Sequence, residues 1–118
     1  MPPIATVAVP TLLADASLEQ CVEGLRHQTR GDFEIVVIDN SGQELARKRD
    51  LSGARILVMP GNVGFGAAIN RAFEQSSAAY LITLNDDAIP RPGWLAALVD
   101  AAESDPRVTG VPSSKGVL

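Results

Sequence analysis

The sequence lacks several features that would assign it to common classes of protein. Its single cysteine, Cys21, cannot form an internal disulfide, so nothing indicates an oxidising compartment. Aromatic residues make up 4% of the chain, too few for a surface that stacks nucleic-acid bases. Ten basic residues against fourteen acidic ones give a net charge of −4, and there is no run of basic residues. We therefore expect no nucleic-acid partner.

The sequence also lacks the segments that direct a chain into or across a membrane. No apolar run approaches the roughly 20 residues that span a bilayer. The first residues carry no positively charged region, and the apolar stretch that follows them is interrupted at Pro10, unlike a signal peptide. These absences predict a cytoplasmic protein.

The length of 118 residues indicates one domain, which is small for an enzyme that binds two substrates. Apolar residues at 46% and charged residues at 20% are the usual balance of a globular protein. The predicted domain covers residues 1–111, and residues 112–118 have the composition of a loop-like C-terminal tail.

Short apolar runs alternate with stretches of helical spacing along the chain. The runs predict buried strands at residues 4–9, 34–38, 55–59 and 80–84, with a further candidate at 108–111. The helical spacing predicts a first helix capped by Ser17 with Gln20, a second that ends near Gln75, and a third over residues 94–102. The polar segment 43–50 is a candidate for a short surface helix.

Strands that are continuously apolar and separated by helices indicate an α/β fold. The expected architecture is a mostly parallel, Rossmann-like sheet with helices on both faces. Right-handed crossovers place the carboxyl ends of all parallel strands at the same edge. The segments that follow the strands are therefore expected to meet there.

Those segments combine carboxylates, amides and glycines. They are Pro10-Thr11, Asp39-Asn40, the loop 61–66 and Asn85-Asp86-Asp87. Open α/β sheets bind ligands at this edge, glycines allow the backbone to approach a ligand closely, and amides at a helix start attract anions. Mg²⁺ and Mn²⁺ are held by one or two carboxylates together with substrate phosphates. A metal-bound diphosphate is the ligand that this edge suits best.

Two segments in particular resemble family 2 glycosyltransferases of the GT-A fold. Residues 62–70 (NVGFGAAIN) and 80–87 (YLITLNDD) are similar to the N-x-G-F-G loop and the L-N-x-D motif of the rhamnosyltransferase-like branch. Residues 7–11, 36–41 and 93–95 match other segments of the family in order and spacing. The resemblance covers about residues 6–111, the N-terminal nucleotide-binding portion of such an enzyme, with the acceptor-binding half absent.

The resemblance implies a reaction and a set of site residues. The family transfers a sugar from a nucleoside diphosphate to a hydroxyl with inversion, here from a dTDP- or UDP-linked donor to a glycan, lipid-linked or other acceptor. It implies Mn²⁺ or Mg²⁺, with Asp87 as the metal ligand. The residues that it places at the nucleotide sugar are Pro10, Thr11, Asp39, Asn62, Gly64, Gly66, Asn70, Asn85 and Asp86.

Three positions depart from the family pattern. Asn85 replaces the first acid of the D-x-D motif, which leaves fewer charges for a metal. Leu12-Leu13 stands where many members have an aromatic residue followed by Asn, so stacking on a base from that position is lost. The general base of the family lies further along the sequence, and no catalytic base is assigned in this chain.

Other interpretations stay open at this point. The chain could be a non-catalytic module that binds a nucleotide or a protein, and an exposed sheet edge could favour a homo-oligomer. A nucleotidyltransferase would need a basic, glycine-rich loop after the first strand, which residues 10–13 do not provide. Asp39 could instead stabilise its turn, and Asn70 could form only local hydrogen bonds. Cys21 and Trp94 are predicted to pack in the core.

Overall fold

The computed structural model describes residues 2–105 and 116–117, which form a five-stranded sheet flanked by helices. Every strand pair in the sheet is parallel. The elements in chain order are β1 (Ala5–Thr11), α1 (Ala16–Arg26), β2 (Phe33–Asp39), a 3₁₀ helix (Leu45–Lys48), β3 (Ala54–Val58), α2 (Phe65–Gln75), β4 (Tyr80–Thr83), α3 (Trp94–Glu103) and β5 (Gly116–Val117). The α/β fold predicted from the sequence is confirmed.

The strand order is β3-β2-β1-β4-β5, so the chain changes direction across the sheet at β1. β1 pairs with β2 from Ala5↔Phe33 to Thr11↔Asp39. On its other side β1 pairs with β4 over a shorter stretch, which ends at Ala8↔Thr83. The point between β1 and β4 is therefore a topological switch point, where the connections on the two sides leave a crevice at the carboxyl edge.

The two faces of the sheet bury different helices. α1 and α3 pack on one face against alternate strand residues such as Val7, Val9 and Val37. α2 packs on the other face against the residues between them, such as Val36 and Ile38. This period of two is the normal result of strand geometry, and coverage of both faces explains why the strands are continuously apolar.

Helix α1 begins differently from the prediction. Its N-cap is Asp15, whose Oδ1 accepts a hydrogen bond of 3.0 Å from the backbone nitrogen of Ser17. The predicted cap at Ser17 is therefore wrong by two residues, because Asp15 supplies an equally good acceptor earlier in the chain. Cys21 is fully buried, and Trp94 packs against the same core, as predicted.

Three further boundaries differ from the expectations. β1 continues through Pro10, which the structure accommodates because pairing with β4 has already ended at Ala8. Residues 45–48 alone form the short helix predicted within 43–50. The candidate strand at 108–111 lies outside the described residues, whereas Gly116–Val117, expected to be loop-like, pairs with β4. No helix in the described part of the chain is both long and apolar enough to span a bilayer.

Candidate functional site

A cavity of about 440 Å³ opens at the switch point between β1 and β4. Its volume is within the range of small-molecule sites. The residues that line it come from the segments after β1, β2, β3 and β4. They are Pro10, Thr11, Leu12, Leu13, Asn40, Asn62, Phe65, Asn85, Asp86 and Asp87. The structure thus brings together the four segments that the sequence predicted would meet.

The hydroxyl of Thr11 joins two walls of this cavity. Thr11 Oγ1 donates a hydrogen bond of 2.7 Å to Asp86 Oδ2 and accepts one of 3.0 Å from the backbone nitrogen of Ala14. Thr11 is buried at the last position of β1. The hydrogen bond fixes the Asp86 carboxylate relative to the sheet and leaves Oδ1 of Asp86 for another partner.

The acidic motif after β4 is the charged wall of the cavity. Asn85, Asp86 and Asp87 all line it, and a hydrogen bond of 3.1 Å from the backbone nitrogen of Ala88 to Asn85 O closes the turn that contains them. The Cys21 thiol lies beneath, with Sγ 3.6 Å from Asn85 O. Burial, with the charges of Asp86 and Asp87, raises the pKa of that thiol to about 11.

These side chains fit a hard cation only in part. Carboxylate and amide oxygens are the donors that Mg²⁺ and Mn²⁺ prefer. In residues 2–105 and 116–117, however, no group of three or more His, Cys, Asp or Glu side chains could hold an ion. An ion at Asp87 would therefore need oxygens from a ligand, as Mg²⁺ sites that also use substrate phosphates do.

Asp39 lies behind the cavity and is not part of its lining. It is fully buried, and its two carboxylate oxygens accept hydrogen bonds of 2.8 Å from the backbone nitrogen of Ser41 and 2.9 Å from that of Ala46. Burial opposes ionisation, but these hydrogen bonds outweigh it and hold the pKa of Asp39 below its ordinary value. These contacts stabilise the turn, and contact of Asp39 with a nucleoside stays a prediction.

Asn40, the next residue, occupies the cavity wall instead. Its backbone nitrogen donates to Thr11 O at 2.8 Å, and its Nδ2 donates to Gly64 O at 3.3 Å. Its Oδ1 is buried and has no hydrogen-bond partner. A buried polar atom normally has a partner, which for Oδ1 would be a water molecule or a group of a bound ligand. The sequence placed Asn40 at this edge of the sheet but did not single it out as a ligand contact, a role that was predicted for Asp39 instead.

The glycine loop, residues 61–66, contributes Asn62 and Phe65 to the cavity lining and contains a sharp turn. Asn62 lines the cavity, and its Oδ1 accepts a hydrogen bond of 3.0 Å from the backbone nitrogen of Gly64. Gly64 has a φ of +86°, which favours glycine, and it directly precedes α2. Gly66 and Asn70 are exposed on α2 and do not line the cavity.

One side of the cavity is apolar. Leu12, Leu13 and Phe65 line it, and their exposed fractions are 50%, 69% and 57%. Large apolar side chains at such exposure leave area for a bound group to cover. The sequence indicates the loss of an aromatic residue at Leu12-Leu13, but only the structure shows that Phe65 places one in the same cavity.

The fold and the site define an α/β domain whose ligand crevice lies at a topological switch point. The sequence pattern of glycosyl transferase family 2 matches residues 6–116, nearly the whole chain. The chain therefore belongs to glycosyl transferase family 2.

Individual relatives are longer than this chain. It is 27% identical over 111 residues to the uncharacterized glycosyltransferase EpsJ of Bacillus subtilis (strain 168), covering 89% of this chain and 32% of that protein. It is 27% identical over 93 residues to a PGL/p-HBAD biosynthesis glycosyltransferase of Mycobacterium bovis (strain BCG / Pasteur 1173P2). That match covers 72% of this chain and 36% of the relative. The chain thus spans about one third of the length of these relatives.

Solved structures agree on the fold. S. aureus TarS 1-349 in complex with UDP superposes with a TM-score of 0.67 at 22% identity, covering 86% of this chain and 33% of that one. The complex of the same protein with UDP-GlcNAc gives a TM-score of 0.64 at 22% identity, covering 84% of this chain and 30% of that one. These similarities confirm the GT-A type of α/β fold.

Proposed function

We propose that this chain is the donor-binding portion of a glycosyltransferase and that its cavity holds a nucleoside-diphosphate sugar. The observation that supports this most directly is the composition of one cavity at the switch point. Its lining includes Asn40, whose Oδ1 has no hydrogen-bond partner, together with Asp86 and Asp87. The base of a nucleoside diphosphate has an N–H group that can donate to Asn40 Oδ1. Its phosphates can bind a divalent cation together with a carboxylate.

The acidic wall is the proposed site of the diphosphate. Asp87 is the proposed ligand of Mn²⁺ or Mg²⁺, and Asp86 is held beside it by Thr11. Such an ion, when bound, stabilises the charge that develops on a leaving diphosphate. Asn85 has a neutral amide where the D-x-D motif has a negatively charged acid. We therefore expect the phosphates to supply a large share of the ion's ligands.

The proposed base is uracil or thymine. Asn40 lines the cavity, and the Nδ2 hydrogen bond to Gly64 O fixes the orientation of its amide, which leaves Oδ1 as the acceptor that we propose for the base. The imide N–H of uracil or thymine can donate to it, whereas the ring N3 of cytosine is itself an acceptor. Phe65 and Leu12 provide an apolar surface for the ring. The UDP complex of TarS, which shares the fold, is consistent with this choice.

The complete reaction that we propose is inverting transfer of the sugar to an acceptor hydroxyl. Such a transfer needs a general base that removes the proton of the hydroxyl. We assign no residue of this chain to that role. The relatives have about three times the length of this chain, and we propose that the corresponding further sequence contributes the base and the acceptor site.

A second candidate is a non-catalytic module that binds a nucleotide. Asn85 favours it, because the amide removes one negative charge from the motif after β4. The two candidates share the cavity and differ in whether bound nucleotide sugar is turned over.

Titration calorimetry with UDP, dTDP, GDP and CDP, each with Mn²⁺ and with a chelator, tests the proposal. We expect binding that is much stronger with the metal than with chelator. It should prefer UDP or dTDP to CDP by roughly tenfold, which corresponds to about one hydrogen bond between uncharged groups. Absence of binding by all four nucleotides would contradict it. Slow hydrolysis of a nucleotide sugar by a longer chain, but not by its Asp87→Ala variant, would favour the enzyme over the non-catalytic module.

A further inference from the structure

The segment after the acidic motif is fastened to one side of α1 and to the residues just beyond it. Cys21 and Gly24 lie on α1, and Gln28 follows its C-cap, His27. Each of the three contacts a different part of residues 85–95. Cys21 Sγ lies 3.6 Å from Asn85 O. Gln28 forms hydrogen bonds to this segment, and Gly24 leaves room for Pro90 beside α1.

Gln28 forms hydrogen bonds with both ends of its side-chain amide. Its Nε2 donates to Arg91 O at 2.7 Å and to Gly24 O at 3.2 Å. Its Oε1 accepts from the backbone nitrogen of Leu95 at 2.9 Å, at the start of α3. A single side chain thus connects the end of α1 to both ends of the turn that leads into α3. Beside it, Thr29 N donates to Pro92 O at 2.9 Å.

Gly24 allows the same segment to approach α1 closely. A β-carbon at this position would lie 3.0 Å from Pro90 Cδ and 3.3 Å from Pro90 O. Pro90 is itself buried. Because a proline ring and a backbone oxygen cannot rotate away, a side chain at position 24 would displace the segment rather than adapt to it.

The acidic motif is therefore held from two sides. Thr11 fixes Asp86 from the sheet, and Gln28, just beyond the end of α1, fixes Arg91 and Leu95. Between these attachments, Asp87 and Ile89 are exposed. The position of the Asp87 carboxylate thus depends on where the two ends of this short segment are held.

We propose that Gln28 is a positioning residue for the acidic motif, and that Gly24 serves the same purpose by admitting Pro90. Neither residue lines the cavity, so both act through residues 88–95. The inference rests on the proposed function, because it gives Asp87 the role of metal ligand. Residues that orient metal ligands typically change metal affinity by 10–100-fold when replaced.

The test compares two variants of matched charge. Gln28→Glu keeps an acceptor for Leu95 N but replaces the donor with an oxygen that faces two carbonyls. Gln20→Glu makes the same change on an exposed part of α1 and is the control. The quantity measured is the gain in UDP affinity that Mn²⁺ produces over chelator. We expect roughly a tenfold loss of this gain in Gln28→Glu, with affinity in chelator unchanged.

A second variant and a ligand-free measurement keep the inference separate from folding and from the proposed function. Gly24→Ala improves the helix propensity of α1 but should lower the same metal-dependent gain, because it displaces Pro90. Hydrogen exchange without ligand should be faster at residues 85–95 in both variants, while residues 33–39 remain at the wild-type rate.

Equal losses with Mn²⁺ and with chelator, or unchanged exchange at residues 85–95, would overturn the inference. Failure of the wild type to bind UDP would instead contradict the proposed function. In that case hydrogen exchange alone decides whether Gln28 and Gly24 position the segment.

Discussion

Thr11 and Asp86, 75 residues apart in sequence, are joined by a hydrogen bond of 2.7 Å at the carboxyl ends of β1 and β4. β1 and β4 no longer pair at this level, because their ladder ends at Ala8↔Thr83. The side chains thus continue the connection where the backbones diverge. This arrangement keeps the crevice open and places a carboxylate in it at a fixed position.

Replacing Thr11 tests this connection. Thr11→Val keeps the shape of the side chain but removes Oγ1, which leaves the backbone nitrogen of Ala14 without its acceptor. We expect a loss of about 1–3 kcal/mol in the free energy of unfolding, together with weaker metal-dependent UDP binding. Thr11→Ser, which retains the hydroxyl, is the matched control and should behave like the wild type. Urea unfolding and calorimetry measure the two effects, and equal stability of both variants would contradict the account.

Asp39→Asn tests whether this carboxylate stabilises the fold. The amide can accept only one of the two hydrogen bonds from Ser41 N and Ala46 N, so we expect a loss of roughly 1–3 kcal/mol near neutral pH. The folded state lowers the pKa of Asp39. Its contribution is therefore complete above the unfolded value of about 3.9 and is lost as the pH falls through the lower folded value.

The measurement is urea unfolding of the wild type and Asp39→Asn from about pH 7 to about pH 2.5. The difference in stability should narrow at the acid end, because the protonated wild-type carboxyl loses the advantage of its charge. A difference that is constant with pH would show that the carboxylate form is not what the turn requires.

Asn40→Ala tests the recognition of the base. Removal of Oδ1 should lower UDP affinity by roughly fivefold, the equivalent of about 1 kcal/mol for one hydrogen bond. CDP affinity should not fall in proportion, because cytosine gains nothing from an acceptor at this position. The ratio of the two affinities is its own control, since loss of the Gly64 contact affects both nucleotides. An unchanged ratio would exclude Asn40 from base recognition.

Phe65 supplies the test of the apolar wall. It is 57% exposed, so Phe65→Ala should change the free energy of unfolding by no more than about 0.5 kcal/mol. Loss of an aromatic face should weaken nucleotide binding by roughly two- to tenfold, and Phe65→Tyr should retain most of the affinity. Val63→Ala, at a neighbouring exposed position outside the cavity lining, is the control. Equal affinity of Phe65→Ala and wild type would mean that the ring does not contact the base.

The sheet could be predicted from sequence because buried parallel strands have a local signature. The four runs at residues 4–9, 34–38, 55–59 and 80–84 begin and end within two residues of β1, β2, β3 and β4. The convergence of Thr11, Asn62 and Asp86 followed from the rule that parallel strands share one carboxyl edge. β5 could not be predicted in this way, because Gly116–Val117 has neither an apolar run nor length. Only its pairing with β4 defines it.

The exchange of roles between Asp39 and Asn40 shows where sequence reasoning reaches its limit. Composition favours the acid as the ligand contact. Strand geometry, however, puts Asp39 on the same side as Ile35 and Val37, facing Ala46, and turns Asn40 towards the cavity. The alternation was available in the sequence, but the partner of Asp39 was not, because the 3₁₀ helix that contains Ala46 has no strong local signal.

Thermal unfolding of the chain with UDP and Mn²⁺ tests the central claim, that the cavity is a metal-dependent nucleotide site. Ligand at about 100 times its dissociation constant adds roughly 2.7 kcal/mol, which for a domain of this size raises Tm on the order of 10 °C. The account predicts a rise of this order that becomes much smaller with chelator and in Asp87→Asn. A Tm that is the same with and without UDP and Mn²⁺ at saturating concentrations would contradict it.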